Sequence, residues 1–307
     1  MKYRGRPGFR HDQPDLTGIV LVNLGTPEAP TTAAVRHYLA EFLSDPRVIE
    51  APRLLWWLAL NLVILRLRPP RSARAYASIW RTEGSPLMIH SRALAARLDA
   101  SLGAEAGHAR VQVRMAMRYG APSIPTVLRE LQDAGMRRLL VLPLFPQYSA
   151  STNASAFDAV FKELHTWRWV PELRLVSDYF AEPAYLDALA ARIRAHWAVH
   201  GQAERLLFSF HGIPERYFRE GDPYFCQCQA TAREVTQRLG LPRDRWALGF
   251  QSRVGTEAWL KPYTDETLAA WPADGVRSVQ VLCPGFAVDC LETIEEIAVE
   301  NRERFLH

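Results

Sequence analysis

Cysteine is scarce in this chain, long apolar runs are missing, and none of the common nucleotide fingerprints is present. Of 307 residues only Cys226, Cys228, Cys283 and Cys290 are cysteine, and no two form a C-x-x-C pair. That spacing excludes a disulfide framework and the usual zinc and thioredoxin patterns. Cys226-Gln-Cys228 leaves a C-x-C that can be read as a partial metal clamp or as two incidental surface thiols. With no signal-peptide pattern, reduced thiols in a cytoplasmic protein are expected. No apolar stretch reaches the roughly 20 residues that a spanning helix needs. There is no G-x-G-x-x-G, no G-x-x-x-x-G-K-[ST] and no G-x-S-x-G, which argues against nicotinamide, ATP and serine-hydrolase chemistry.

What is present is mildly basic, with a net charge of +4 and a pI near 9.0. The excess comes mostly from arginines at Arg4, Arg6 and Arg10 and between Arg53 and Arg81. Such clusters suit an acidic ligand or an anionic membrane surface better than a nucleic-acid track. The longest apolar run, Leu54–Leu65, contains the pair Trp56-Trp57 and is flanked by Arg53, Arg66, Arg68, Arg71 and Arg74. A buried helix and an interfacial segment compete for this pattern, and the paired tryptophans with their arginine border favour an exposed apolar lip, about 48–68.

Apolar runs ended by Gly or Pro alternate with helical stretches, which predicts βαβ units with parallel sheets. Strands are expected at Gly18–Leu24, Val111–Met117, Arg138–Leu144, Leu173–Ser177, Leu206–Phe210, Trp246–Phe250 and Ser278–Cys283. The strand from Leu206 stops at His211-Gly-Ile-Pro214, placing a histidine at a strand's carboxyl end, where open α/β sheets gather their chemistry. Strand endings recur in order. Val22-Asn-Leu-Gly-Thr-Pro27 pairs with Ser209-Phe-His-Gly-Ile-Pro214, Met117-Arg-Tyr-Gly120 with Gln251-Ser-Arg-Val-Gly255, and Leu140–Phe145 with Val281–Phe286. Two similar α/β domains facing a central cleft would explain the repeat. The expected division is a loose arm over 1–16, punctuated by Pro7 and Pro14, a first domain over 17–150, and a second over 151–307.

After Pro284-Gly-Phe286 a last helix is expected from about Asp289 to Leu306. Asp289, Glu292 and Glu296 would then share one face at i, i+3 and i+7. A solvated acidic face is the ordinary meaning of that pattern. Beside a strand-end histidine, the same face can relay protons or supply oxygen donors to a divalent cation.

Taken together, these motifs resemble the ferrochelatase family, from about Gly18 to the end. The residues that carry the resemblance are Asn23-Leu-Gly-Thr-Pro27, Gly84-Ser-Pro86, Pro146-Gln-Tyr-Ser149, Ser209–Pro214, Gly221-Asp-Pro-Tyr224, Gln251-Ser-Arg253, Trp259-Leu260 and Asp289-Cys-Leu-Glu-Thr293. The resemblance implies two Rossmann-like, chelatase-type domains and ATP-independent insertion of Fe²⁺ into protoporphyrin IX. It implies no cofactor beyond that substrate iron, and a lip on the cytoplasmic face of the inner membrane.

By the resemblance, His211 and Glu292 are the catalytic and metal-contacting pair. Asp289 and Glu296 form a proton or metal path, and Leu24, Arg118, Tyr119, Tyr148 and Trp259 contact porphyrin. Cys290 stands where the family often has His. The chain ends at His307, before the closing stretch usual in the family and before the extension that carries iron–sulfur ligands in some members, so no cluster is expected. A chelatase for cobalt, a coproporphyrin substrate, or a haem-binding module without turnover would draw on the same groups.

Overall fold

The computed structural model describes residues 3–6, 8–105 and 110–307. Met1, Lys2 and Pro7 of the expected arm lie outside them. The chain forms two compact units, the first from residues up to 144 and 150–177, the second from 145–149 and 178–307.

The first unit runs β1 (Leu16–Gly25), α1 (Thr32–Leu43), α2 (Arg53–Ala59), α3 (Leu65–Ile79), α4 (Pro86–Glu105), β2 (Arg110–Tyr119), α5 (Ile124–Asp133), β3 (Met136–Pro143), α6 (Ser155–Leu164) and β4 (Glu172–Leu175). Its strands form one sheet in the order β2-β1-β3-β4, and every neighbouring pair is parallel. β1 is central because Val20, Leu21 and Val22 can be buried on both faces at once. α5 and α6 cover the sheet with Ile124, Val127, Leu128 and Leu131 from one and Ala156, Val160 and Leu164 from the other. β4 pairs with β3, Arg138↔Glu172 through Val141↔Leu175, so the sheet closes at residue 177 and not at 150 as the sequence division had it.

The second unit runs α7 (Pro183–His200), β5 (Arg205–His211), α8 (Glu215–Arg219), α9 (Tyr224–Leu239), β6 (Trp246–Gln251), α10 (Thr264–Ala270), β7 (Val279–Leu282) and α11 (Arg302–Leu306). Its sheet is β6-β5-β7, again parallel. Phe208 and Phe210 of β5 are fully buried against Cys228, Ala232 and Val235 of α9 and Leu186 and Ile193 of α7. The repeat seen in the strand endings is therefore a repeat of topology. In each unit the first strand is central, the second lies on one side and the third on the other. Even the turns correspond: Met117 N–H donates to Pro122 O at 2.7 Å after β2, and Phe250 N–H to Pro262 O at 2.8 Å after β6.

The arm and the lip each show what local pattern left open. The arm is tied down, since Arg4 N–H donates to Thr166 O and Arg168 N–H to Arg4 O. The guanidinium of Arg137 also lies over Phe9 and Trp169, 4.7 and 3.9 Å from their ring centroids. The apolar lip is helical: the run begins at Arg53 and continues, through a π-wound turn at Leu60–Ile64, past Pro69 and Pro70. On this run Trp56 is anchored by its indole N–H to Leu43 O at 2.6 Å, while Leu54, Leu55, Trp57, Leu62, Val63 and Leu67 are exposed, Leu54 and Leu67 at 72%. That exposure selects the lip over the buried-helix alternative. No helix among the described residues is long and apolar enough to cross a membrane.

Finally, residues Glu292–Asn301 wind as a π-helix. Two side chains also bond to its carbonyls: Gln251 donates to Glu292 O at 3.1 Å and Asn301 to Glu296 O at 2.8 Å.

One buried ion pair gives a pH-dependent stability. Both Glu163 oxygens accept from Arg129 at 2.8 Å, and Trp167 Nε1 donates to one of them at 3.0 Å. Burial raises the Glu163 carboxyl, but the Arg129 and Trp167 hydrogen bonds outweigh it and hold the group below its ordinary value. A folded value below the unfolded one stabilises the fold above the unfolded pKa of about 4.3 and is lost as pH falls through the folded value. Because Arg129 is 45% exposed, Glu163→Gln should cost only about 1–2 kcal/mol at pH 7. Urea titrations should show a shallower loss of stability for the variant than for the wild type below about pH 5.

Candidate functional site

In the second unit β5 pairs with β7 only as far as Phe208↔Leu282, yet stays paired with β6 through His211↔Gln251. From β5 the chain steps to β6 on one side and returns to β7 on the other. His211 thus stands where the strand order reverses, the position at which open α/β sheets bind ligands. The ring is half-buried, with the centroids of Trp259 and Phe286 each 6.4 Å away. Trp259 can approach because the next residue is glycine: a Cβ on Gly212 would lie 3.0 Å from the indole and 2.9 Å from Gln251 O. Leu260 N–H to Ile213 O, at 3.0 Å, and the Pro214↔Trp259 bridge hold that approach.

His211 Nδ1 is 2.6 Å from Gly212 O. A carbonyl only accepts, so Nδ1 carries the hydrogen and, in the neutral ring, Nε2 holds the lone pair. That hydrogen bond selects the nitrogen available to a proton or a metal.

The acidic residues do not form the α-helical ladder expected of them. Asp289 is exposed and precedes the helix, where its carboxylate accepts from the Thr293 hydroxyl at 3.0 Å. Glu292 and Glu296 belong to the π-wound segment and are half-buried. Glu296 is fastened to the end of β6. Its Oε1 accepts from Ser252 N–H at 2.7 Å, and its Oε2 accepts from the Ser252 hydroxyl and from Gln251 Nε2. Ser252 takes φ of +65°, a conformation that L-residues rarely adopt, and the Glu296 carboxylate holds it there. Gln251 therefore joins His211's neighbouring strand to Glu292 and Glu296 together, a role invisible in its sequence motif.

Tyr148, in the 145–149 segment, is half-buried, and its N–H donates to Gln227 Oε1 at 2.6 Å. The cysteines diverge. Cys226 is exposed and Cys228 fully buried on α9, since residues two apart on a helix point away from one another. The expected pair of surface thiols is thus one surface thiol and one core residue, whose thiol burial pushes up. Burial likewise pushes Cys290 up and Cys283 up to about 12. Among the described residues no three His, Cys, Asp or Glu gather as a metal-holding group.

In the first unit Leu24 is half-buried near the end of β1, its N–H donating to Asn23 Oδ1 at 2.8 Å. Arg118, near the carboxyl end of β2, keeps 19% of its side chain exposed. Tyr119, expected to face a ligand with it, is fully buried and presents no surface. Its phenol donates to Asp45 at 2.8 Å, and burial, with the Asp45 carboxylate, outweighs Ser155 and the Arg118 charge and pushes it far above its ordinary value, so it stays a donor. Asp45 and Ser155 had no place in the sequence reading; Ser-Asp-Pro after a helix reads only as a turn.

Known proteins resemble the chain over nearly its whole length. The family model described as Ferrochelatase matches residues 16–307. A ferrochelatase of Marinobacter nauticus is 55% identical over 306 residues, covering all of this chain and 82% of its own length. Those of Nitrosococcus oceani and Idiomarina loihiensis are each 55% identical, over 307 and 306 residues, with 83% and 84% of their lengths covered. A match that takes in both sheets, the His211 strand end and the acidic helix shows that the chain belongs to the ferrochelatase family.

Proposed function

We infer that the chain is a porphyrin metal chelatase, a lyase that inserts Fe²⁺ into protoporphyrin IX to give protohaem, the last step of haem biosynthesis. The observation that carries this reading is His211 at the reversal point of the second sheet, with Nε2 free, within a family match covering 292 of the 307 residues, 16 through 307. Free-base porphyrin holds two N–H protons where the metal must go, so both must leave as Fe²⁺ takes their place. The Nε2 lone pair of His211 is suited to accept one of them. To half-buried Glu292 we assign the passing of protons onward or the meeting of the incoming iron, with exposed Asp289 leading toward solvent. Glu296, tied to Ser252 and Gln251, sets the position of the segment that carries Glu292. In the second unit Trp259 offers an aromatic face next to His211, and the family resemblance suggests Tyr148, and Leu24 of the first unit, as further contacts of the ring. Arg118 offers a cation to a propionate. Iron enters as substrate; the reaction as inferred uses neither a nucleotide nor an iron–sulfur cluster.

The test mixes the protein with protoporphyrin IX and Fe²⁺ anaerobically, without ATP, and follows porphyrin fluorescence. Decay well above the uncatalysed control is expected, and a rate equal to that control would reject the reading.

We also propose that the exposed run from Leu54 to Leu67 rests on the cytoplasmic face of a membrane. Its apolar side chains would enter the interface while Arg53, Arg66, Arg68, Arg71 and Arg74 meet lipid phosphates. Replacing Leu54 and Trp57 together by Glu should cut co-sedimentation with vesicles containing anionic lipid about tenfold or more. Unchanged co-sedimentation would remove the membrane role from this segment.

A further inference from the structure

The first unit contains a buried carboxylate bonded to Arg118 and to two hydroxyls beside it. Asp45 follows α1 in sequence and keeps only 4% of its side chain exposed. Its Oδ2 accepts from Arg118 Nη2 at 2.5 Å, the Tyr119 hydroxyl at 2.8 Å and the Ser155 hydroxyl at 2.6 Å; its Oδ1 accepts from Arg47 N–H at 2.8 Å. Arg118 is gripped from a second direction, because Nε donates to Ser155 O at 2.9 Å and to Ser155 Oγ at 2.7 Å. Its guanidinium also lies over the Tyr119 ring, 4.6 Å from the centroid. One edge of the fork is thereby consumed. Nη1 makes no hydrogen bond among the described residues, and the group retains 19% exposure.

We propose that Asp45 is a positioning residue for the reaction: with Ser155 and Tyr119 it locks the Arg118 fork so that the Nη1 edge is held ready for a carboxylate of the substrate. This rests on the chelatase reading above, in which the ligand carries propionates. The physical argument is one of entropy and direction. A free arginine must give up its rotamer freedom to hold an anion, whereas one already fixed by three side-chain and backbone acceptors has lost most of it before the ligand arrives. A bare buried carboxylate would itself be costly, but this one is compensated. Burial works to raise the Asp45 carboxyl, and the bonds from Ser155, the Arg47 N–H and Tyr119, with the Arg118 charge, overcome it and hold the group below its ordinary value. Tyr119, buried and protonated, serves this lock and not the ligand directly.

The test is Asp45→Asn, which keeps the shape and removes the charge, measured by chelation kinetics and by absorbance titration with protoporphyrin alone. The expected result is a porphyrin KM and Kd raised about tenfold, equal to about 1.4 kcal/mol, with kcat and the iron KM within about threefold of wild type. In an Arg118→Ala background the same change should add nothing, because Asp45 acts through Arg118. An unchanged porphyrin KM in a folded Asp45→Asn protein overturns the proposal. So does an equal loss that persists without Arg118, which would mark Asp45 as purely structural. If Asp45→Asn does not fold, Tyr119→Phe takes its place: it removes one donor and keeps the ring, and the same KM-only rise, of about threefold, is required of it. A wild type that binds porphyrin but inserts no iron would reject the chelatase reading, and the titration would still decide the role of Asp45.

Discussion

Replacing His211 by alanine is expected to lower the rate of iron insertion by about 10³-fold or more, while porphyrin still binds. The expectation follows from where the group stands. β5 carries His211 beyond its last rung with β7, and the Gly212 carbonyl occupies Nδ1, leaving Nε2 as the single basic atom presented. Removing the ring takes away the proton acceptor but leaves Trp259 anchored through its own bond to Val254 O at 2.9 Å. Porphyrin affinity, read by absorbance titration, should therefore change far less than the rate read by anaerobic fluorescence decay. A loss confined to kcat is the mark of a group used in the transition state and not in binding. Metallation by His211→Ala at a near-native rate would remove the residue from the mechanism.

A second large effect is expected at the end of β1. Gly25 takes φ of +123°, and a Cβ built on it would fall 1.9 Å from the carbonyl oxygen of Tyr119, its register partner on β2. The obstacle is backbone in the neighbouring strand, so no rotamer change relieves it. Gly25→Ala must break the rung or push β2 away, and either outcome should cost about 3 kcal/mol or more. A fall in the urea midpoint measures this, and a midpoint within error of the wild type would show that the strand end tolerates the separation. Because the rung includes Tyr119, the Asp45–Arg118 lock should loosen too, and porphyrin KM should rise in any fraction that still folds.

Much of the outcome was legible in the order of the residues. Strands buried on both faces announce themselves as apolar runs cut by Gly and Pro, so the seven strands lie within a few residues of their expected places. The echo between Asn23–Pro27 and Ser209–Pro214 anticipated two central strands with matching flanks. The lip was legible for the same reason, since adjacent tryptophans and an arginine border have few other uses.

Other features depended on contacts far apart in the chain. β4 pairs with β3, 34 residues away at Arg138↔Glu172, and no local pattern says which sheet a four-residue strand will join. The acidic segment has α-helical spacing in the sequence, and its π winding comes with bonds from the Gln251 and Asn301 side chains to Glu292 O and Glu296 O.

The sequence by itself determined the class of fold, the strand end that carries His211, the exposed apolar lip and the family. All of these rest on short-range pattern: burial period, turn residues and motif spacing. Only the tertiary structure decided that Tyr119 is buried, that Glu296 holds Ser252, and that Asp45 meets Arg118 across 73 residues. The physical reason is that a charged or polar side chain is satisfied by whatever the folded chain brings to it, and that partner has no fixed offset in the sequence.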